Sequence, residues 1–255
     1  MPTPRPLGPL LAAALLMLTL AIATGVAEAT DLVVNGDFEQ LTKGDELRRD
    51  NKGQDWYESR KDGSQGRQLL KLSTKEIGGN TTKKAMIKAD PELNTYLSQR
   101  LSAPQSGHFT VQYDIFIREI RPEYDRSAFF FVGGIKDKKG GPNSTGKERF
   151  VFLGFENSEE ESKVNLFVRE GSSKWAEKTY LVMDLDVETW YTVKVAIDVA
   201  NAVYEVTVDG VSEPYEVEAY YYKNKTLSEL THISFASWND GAGTFYIDNV
   251  KTATP

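Results

Sequence analysis

The chain has 255 residues, with 30 basic and 37 acidic side chains, a formal net charge of −7, 12 Phe, 12 Tyr and 4 Trp, and no cysteine. The missing cysteine excludes a disulfide scaffold, thiol catalysis, thiolate metal sites and a lipid-modified N-terminal Cys, and two histidines, His108 and His232, are too few for a histidine-rich metal centre. The acidic balance argues against nucleic acid or anionic lipid as partner, and the aromatic content argues against disorder.

Residues 1–29 read as a signal peptide: Arg5, a Leu/Ala-rich run from Leu7 to Ala23, and the small-x-small pattern Ala27-Glu28-Ala29. Cleavage would leave Thr30 first, and 30–255 would form one secreted or extracytoplasmic domain with no membrane contact. The alternative is an uncleaved anchor, because the apolar run is near the short end of a spanning helix.

Beyond the leader the dominant period is two. Leu32–Val34, Gln68–Leu72, Ala85–Ala89 and Thr95–Leu101 read as short strands. In Phe109–Ile117 an apolar group occupies every odd position, so one face of an extended strand is apolar and the other mostly polar. Ala128–Ile135, Arg149–Phe155, Lys163–Arg169 and Thr179–Met183 follow. Val193–Ile197 and Tyr204–Val208 alternate in the same way; Asp198–Asn201 between them reads as a turn, and Asp209-Gly210 carries the signal of a tight hairpin, so a meander is expected. His232–Trp238 and Thr244–Lys251 complete the set. No long stretch has convincing helical periodicity. About a dozen short strands separated by Gly, Asn, Asp and Ser clusters predict an all-β fold, an antiparallel two-sheet β-sandwich of the jelly-roll type. The polar segments Thr42–Gly66 and Asp137–Gly146 read as loops within one domain, the second as a flexible loop or lid.

Three stretches carry a resemblance: Leu32-Val-Val-Asn35-Gly36-Asp37-Phe38-Glu39 followed by Asp55-Trp56; Thr95 to Val111 through Gln99 and Gly107; and Phe245-Tyr-Ile-Asp248-Asn249-Val250. Together they resemble the CenC-type carbohydrate-binding modules, and the resemblance thins between Glu119 and Asp186. The run from Trp190 to Asp198 and on to Val208-Asp209-Gly210 is similar to concanavalin A-like sandwiches of the laminin-G and glucanase/lyase kind. The resemblance implies a secreted jelly roll associated with enzymes that act on polysaccharides. It also implies a structural calcium where the first and last strands run side by side, with Asp37, Glu39 and Asp248 as the carboxylates. A hard cation takes about six to eight oxygens. The alternative is that Asp37 and Asp248 hydrogen-bond turn and loop backbone without a metal.

Sugar rings expose apolar C–H faces, so glycan sites use planar side chains as platforms beside hydrogen-bonding groups. Aromatics in polar contexts are the candidates: Trp56, Tyr57, Trp175, the triplet Tyr220, Tyr221 and Tyr222, and Trp238 next to Asn239. Consecutive tyrosines cannot all face a core, so at least one of the triplet should be exposed. For catalysis, the Glu-x-Asp-x-Glu motif of concanavalin A-like glucanases is absent. Glu156 and Glu170 each follow an alternating strand, and Arg169 adjoins the second, so these three are the candidates for a glycosidase or lyase site. Neither His108 nor His232 is accompanied by the Tyr, Gln or Arg motifs of the alginate-lyase relatives and no serine stands in a Gly-x-Ser-x-Gly context, so both histidines read as hydrogen-bonded strand-edge residues. The leading expectation is a non-catalytic protein that binds polysaccharide through exposed aromatics. The alternatives are a concanavalin A-like lyase or hydrolase with a divergent site, and an extracellular structural or adhesion domain.

Overall fold

In this computed structural model the described residues are 30–40, 56–59, 70–89, 94–120, 126–134, 141–142, 148–171, 178–221, 225–237 and 243–255. The leader at 1–29 lies outside them, as does most of each of the two segments expected as loops. Period-two alternation builds fourteen strands among the described residues: β1 (Trp56–Glu58), β2 (Leu70–Ser73), β3 (Lys84–Ala89), β4 (Thr95–Gln105), β5 (His108–Ile120), β6 (Arg126–Gly133), β7 (Arg149–Asn157), β8 (Lys163–Val168), β9 (Thr179–Asp186), β10 (Trp190–Asp198), β11 (Val203–Val208), β12 (Tyr215–Glu218), β13 (Leu230–Ser237) and β14 (Gly243–Ala253).

They pair antiparallel in two sheets, sheet A in the order β1-β4-β13-β6-β7-β8-β9 and sheet B in the order β12-β11-β10-β5-β14-β3-β2. The result is the expected all-β jelly-roll sandwich. The meander is present as β10-β11-β12. Its first turn is fixed by Asp198, whose carboxylate accepts from the Asn201 backbone N–H at 3.0 Å and from its side-chain amide at 2.6 Å. These bonds hold the Asp198 carboxyl below its ordinary pKa.

Register assigns the faces. Val193, Val195 and Ile197 of β10 stand opposite Tyr113, Val111 and Phe109 of β5, and all six are buried. From sheet A, Leu97, Phe130, Leu153, Phe155, Leu166, Ile233 and Phe235 fill the other half of the shared core. Aromatic contacts stitch the layers together, with the Tyr113 ring 4.6 Å from Phe130 and 5.1 Å from Phe235.

Two elements differ from expectation. Leu32–Val34 forms no strand, because apart from one backbone bond, from Ser102 N–H to Leu32 C=O at 3.0 Å, its backbone bonds to side chains. The Leu32 N–H donates to Thr252 Oγ1 at 2.5 Å, and Gln99 both accepts from Val34 N–H and donates to Val34 C=O. This segment thereby ties β14 of sheet B to β4 of sheet A. Gly36 then passes so close to the last strand that an added Cβ would stand 1.7 Å from the Val250 carbonyl oxygen, while Val250 N–H donates to Gly36 C=O at 2.9 Å.

Trp56 is the second difference. It was expected as an exposed platform, but it is fully buried in the short strand β1, with its ring 5.3 Å from Phe38 and 6.3 Å from Phe235. Its indole N–H donates to Asn35 C=O at 3.0 Å. It is a core residue that plugs the end of the sandwich beneath the N-terminal segment. Trp56→Ala is expected to lose about 3–5 kcal/mol of folding stability, the cost of a large core truncation, read as the shift of a urea unfolding midpoint at unchanged slope.

Candidate functional site

Sheet A is apolar on its outer face as well. Alternation sends Phe130 inward and Phe129 and Phe131 outward, and with Phe152, Phe167, Tyr220, Ala236 and the partly buried Tyr96 they form a second cluster on the far side of the sheet from the main core. The Phe131 and Phe152 rings meet edge-on at 5.0 Å. Two segments lie over this face. Gly141 sits against the side chains of Ser98 and Ser234, whose hydroxyls share a 2.7 Å hydrogen bond, and Pro142 C=O accepts from Arg149 Nε at 3.3 Å. Tyr220 N–H donates to Phe150 C=O at 2.9 Å, with its ring 5.7 Å from Phe152.

Tyr220, expected as part of an exposed platform, is therefore a buried part of this cover, because its ring completes the outer cluster. Its neighbour Tyr221 is half-buried against Gly171, to whose carbonyl its N–H donates. Tyr57 is half-buried on the outer face at the β1 edge and stacks on Tyr96 at 6.1 Å. Burial and the adjacent Tyr57 push the Tyr96 phenol above its ordinary pKa. Trp175, Tyr222, Trp238 and Asn239 lie outside the described residues.

Charge enters this face over aromatic rings. The Arg149 guanidinium lies 4.6 Å from the Phe131 centroid and 5.2 Å from that of Phe152, and Arg169 lies 5.6 Å from Phe152. Burial lowers the Arg149 pKa to about 10, against the opposing influence of Tyr220 and Glu148. Arg169 is thus a buried member of an Arg–Phe–Arg stack.

At the β9 edge the face opens. Glu156, on β7, is buried, and its two carboxylate oxygens accept from Lys178 Nζ and from the Tyr180 hydroxyl. The Lys178 ammonium lies 5.5 Å from the Phe167 centroid and 5.3 Å from that of Tyr180. Tyr180 itself is 39% exposed, a solvent-facing ring fixed at its hydroxyl by one neighbour and beside its face by another. Glu170 accepts from Thr179 Oγ1 at 2.7 Å. The two acids singled out from the sequence thus engage three consecutive residues at the start of β9, Glu156 accepting from Lys178 and Tyr180 and Glu170 from Thr179. Tyr180 was not singled out, because an aromatic within an alternating strand reads as core; its place on an edge strand leaves it exposed.

The carboxylates expected to hold calcium each accept hydrogen bonds from the chain. Asp37 is exposed and accepts from Glu39 N–H at 3.2 Å; Glu39 Oε1 accepts from Lys83 N–H at 2.7 Å. Asp248 is buried, with Oδ2 accepting from Asn80 and Thr82 side chains and Oδ1 from Asn249 N–H. Among the described residues no three or more His, Cys, Asp or Glu side chains are grouped to hold a metal ion.

On the outer face of sheet B, a cleft of about 470 Å³ is lined by His108, Thr110, Ala196, Asp198, Glu205 and Glu216 among others, with His108 Nε2 3.4 Å from Asp198 Oδ2. His232 is buried on sheet A, with Nδ1 2.7 Å from Thr231 Oγ1.

No protein-family model and no curated protein matches the chain. Solved structures share its fold. A sialidase is 15% identical at a TM-score of 0.54 over 89% of this chain, which spans 18% of that protein. A conserved carbohydrate esterase from the Shiga toxin-encoding bacteriophage phi24B is 11% identical at 0.54, covering 89% of this chain and 99% of that one. The carbohydrate recognition domain of Emp47p is 13% identical at 0.51, covering 90% and 98%. What these structures share with the chain is the jelly-roll β-sandwich fold.

Burial alone would lower the Lys178 ammonium, but its hydrogen bonds with Glu156 and Tyr180 and the Glu156 charge outweigh burial and raise its pKa above the ordinary 10.5. A cation raised in this way contributes stability that is fully present below its unfolded pKa and is lost as pH rises through the folded value. Lys178→Met is expected to cost about 1–3 kcal/mol at neutral pH, since it strands a buried carboxylate. In urea titrations the difference from wild type should shrink above pH 10.5.

Proposed function

We propose that this protein binds carbohydrate without transforming it, and that the β9 rim of sheet A is the contact surface. The observation that carries this reading is Tyr180: an exposed aromatic ring immobilised by Glu156 and Lys178, with Thr179 and Glu170 beside it. A held ring flanked by hydrogen-bonding groups offers both the apolar platform and the polar partners that a sugar requires, at little cost in side-chain ordering. The carbohydrate recognition domain, esterase and sialidase that share the fold lend the same direction. The two segments that resemble CenC-type modules touch one another through Gly36 and Val250, which supports placing the chain near that class. Export by a cleaved signal over 1–29 belongs to the same proposal. Catalysis is disfavoured because Glu156 has both oxygens engaged and Arg169 is buried in the outer cluster.

A glycan array followed by calorimetry on the best ligand tests this reading. Tyr180→Ala is expected to weaken binding about tenfold or more, equivalent to about 1.4 kcal/mol, while Tyr180→Phe, which keeps the ring and loses the bond to Glu156, should weaken it less. Release of reducing ends or unsaturated uronate from that ligand, or the absence of any bound glycan, would overturn the proposal.

A further inference from the structure

On the outer face of sheet B, where the segment 31–40 crosses β14, a cleft of about 430 Å³ is lined by Asp31, Asn35, Asp37, Gln112, Asp114 and Lys251 among others. Its walls are fixed from several sides. Asp31 Oδ1 accepts from the Thr252 N–H at 3.0 Å and from its hydroxyl at 2.8 Å, and the Asp114 carboxylate accepts from Thr192 Oγ1 at 2.6 Å and from Asn249 Nδ2 at 2.7 Å. Asn35, at φ +53°, turns the chain here: its C=O accepts from Trp56 Nε1 at 3.0 Å and its Oδ1 from the Gln40 N–H at 3.1 Å.

One group of the Asn35 side chain is left over. The residue is only 7% exposed, yet its Nδ2 has no hydrogen-bond partner. Buried N–H groups are paired in nearly all native structures, because an unpaired one carries the full desolvation penalty of the group. Among the described residues, no hydrogen bond occupies the side chains of Gln112 and Lys251, nor Asp37 Oδ2 and Asp31 Oδ2. The lining thus sets unpartnered donors beside unpartnered acceptors, with three carboxylates against one ammonium and no aromatic ring among its described residues. A bare cation entering the cleft meets an ammonium and amide N–H groups, and an anion meets the carboxylates. A neutral hydroxyl, which donates and accepts at once, matches both.

We propose that this cleft is a second carbohydrate subsite, on the opposite sheet from the β9 rim, and that it takes the hydroxyl edge of a neutral sugar. Asn35 Nδ2 and the Gln112 amide donate to the sugar hydroxyls, and Asp31 and Asp37 accept from them. Without an aromatic platform the site reads the edge of the ring rather than its face. The walls are held by bonds within the chain, so little ordering is lost on binding. The excess of carboxylates rejects uronate-bearing chains. A contact on each sheet lets one molecule bridge two polysaccharide chains, with the gain in avidity that two linked sites give. The cleft and the rim stand on different residues, so neither depends on the other.

The test is nuclear magnetic resonance of the nitrogen-labelled full-length protein, titrated with neutral hexasaccharides of glucose, xylose and mannose and with a hexauronate. The side-chain amide signals of Asn35 and Gln112 should move with at least one neutral hexasaccharide, in wild type and in Tyr180→Ala alike. In the Tyr180→Ala background, Gln112→Ala and Asp37→Ala should each weaken that binding about threefold or more, while Glu216→Ala, in the other cleft of the same face, should leave it unchanged. Asn35→Asp, which tolerates the left-handed backbone but exchanges the free donor for an acceptor, should abolish it; if that variant folds poorly, Gln112→Ala and Asp37→Ala, neither of them at a buried position, carry the test. Amide signals that stay still with every neutral hexasaccharide, or a preference for the hexauronate, overturn the second subsite. Binding that disappears entirely in Tyr180→Ala also overturns it and leaves the rim reading standing, whereas binding that survives Tyr180→Ala and falls in Gln112→Ala supports the cleft whatever the rim contributes.

Discussion

A sheet buried on both faces is the constraint from which the rest of this protein follows. Sheet A turns Phe130, Leu153 and Phe235 toward sheet B, and Phe129, Phe131, Phe152 and Phe167 the other way. The second set cannot be left in water, since rings of this size each bury on the order of 150–250 Å². The contacts at Gly141 and Pro142 and the packing of Tyr220 follow from that need, and so does the placement of two guanidinium groups over the Phe152 ring. The middle of the face is thereby spent on folding, and what it can offer a ligand is moved to its rim at β9.

The rim and the start of β3 in sheet B deal with buried charge by the same means. Glu156 is shielded from water but faces an ammonium and a phenol; Lys84 is shielded but donates to the backbone carbonyls of Lys75 and Thr82. An unpartnered buried ion costs several kcal/mol, so such groups persist only where the surrounding geometry supplies complementary atoms. In the first case the partner is a half-exposed aromatic that gains a fixed orientation. In the second it is a loop that gains an anchor.

Much of the architecture is legible in the residues themselves. The odd-position apolar pattern of Phe109–Ile117 reports the inner face of β5, and Asp198–Asn201 and Asp209-Gly210 report the meander turns, because each is a local signal set by neighbouring residues. Trp56 and Tyr220 were misleading for the opposite reason. Trp56 occupies a three-residue strand with polar flanks, and its burial is decided by Phe38 and Phe235, which are distant in sequence. Tyr220 is covered because sheet A has a second apolar face, which a continuous run such as Ala128-Phe-Phe-Phe-Val132 conceals. Lys84 reads as an ordinary outward lysine until the 74–82 segment is seen above it. The resemblance implies that the segments holding Asp37 and Asp248 run side by side, and Val250 N–H does donate to Gly36 C=O between them.

The closure between Leu32 and Thr252, and between Gly36 and Val250, joins residues separated by more than two hundred positions. Strand β5 also needs β14 beside it, and β4 needs β13. When the chain has been made as far as β8, only four of the twelve described strand pairings, β1-β4, β2-β3, β6-β7 and β7-β8, have both partners present. Sheet B cannot close around β5 until β14 is available, so folding is slow in the manner of topologies dominated by distant partners. Until then the nascent chain stays open and dependent on its surroundings for protection.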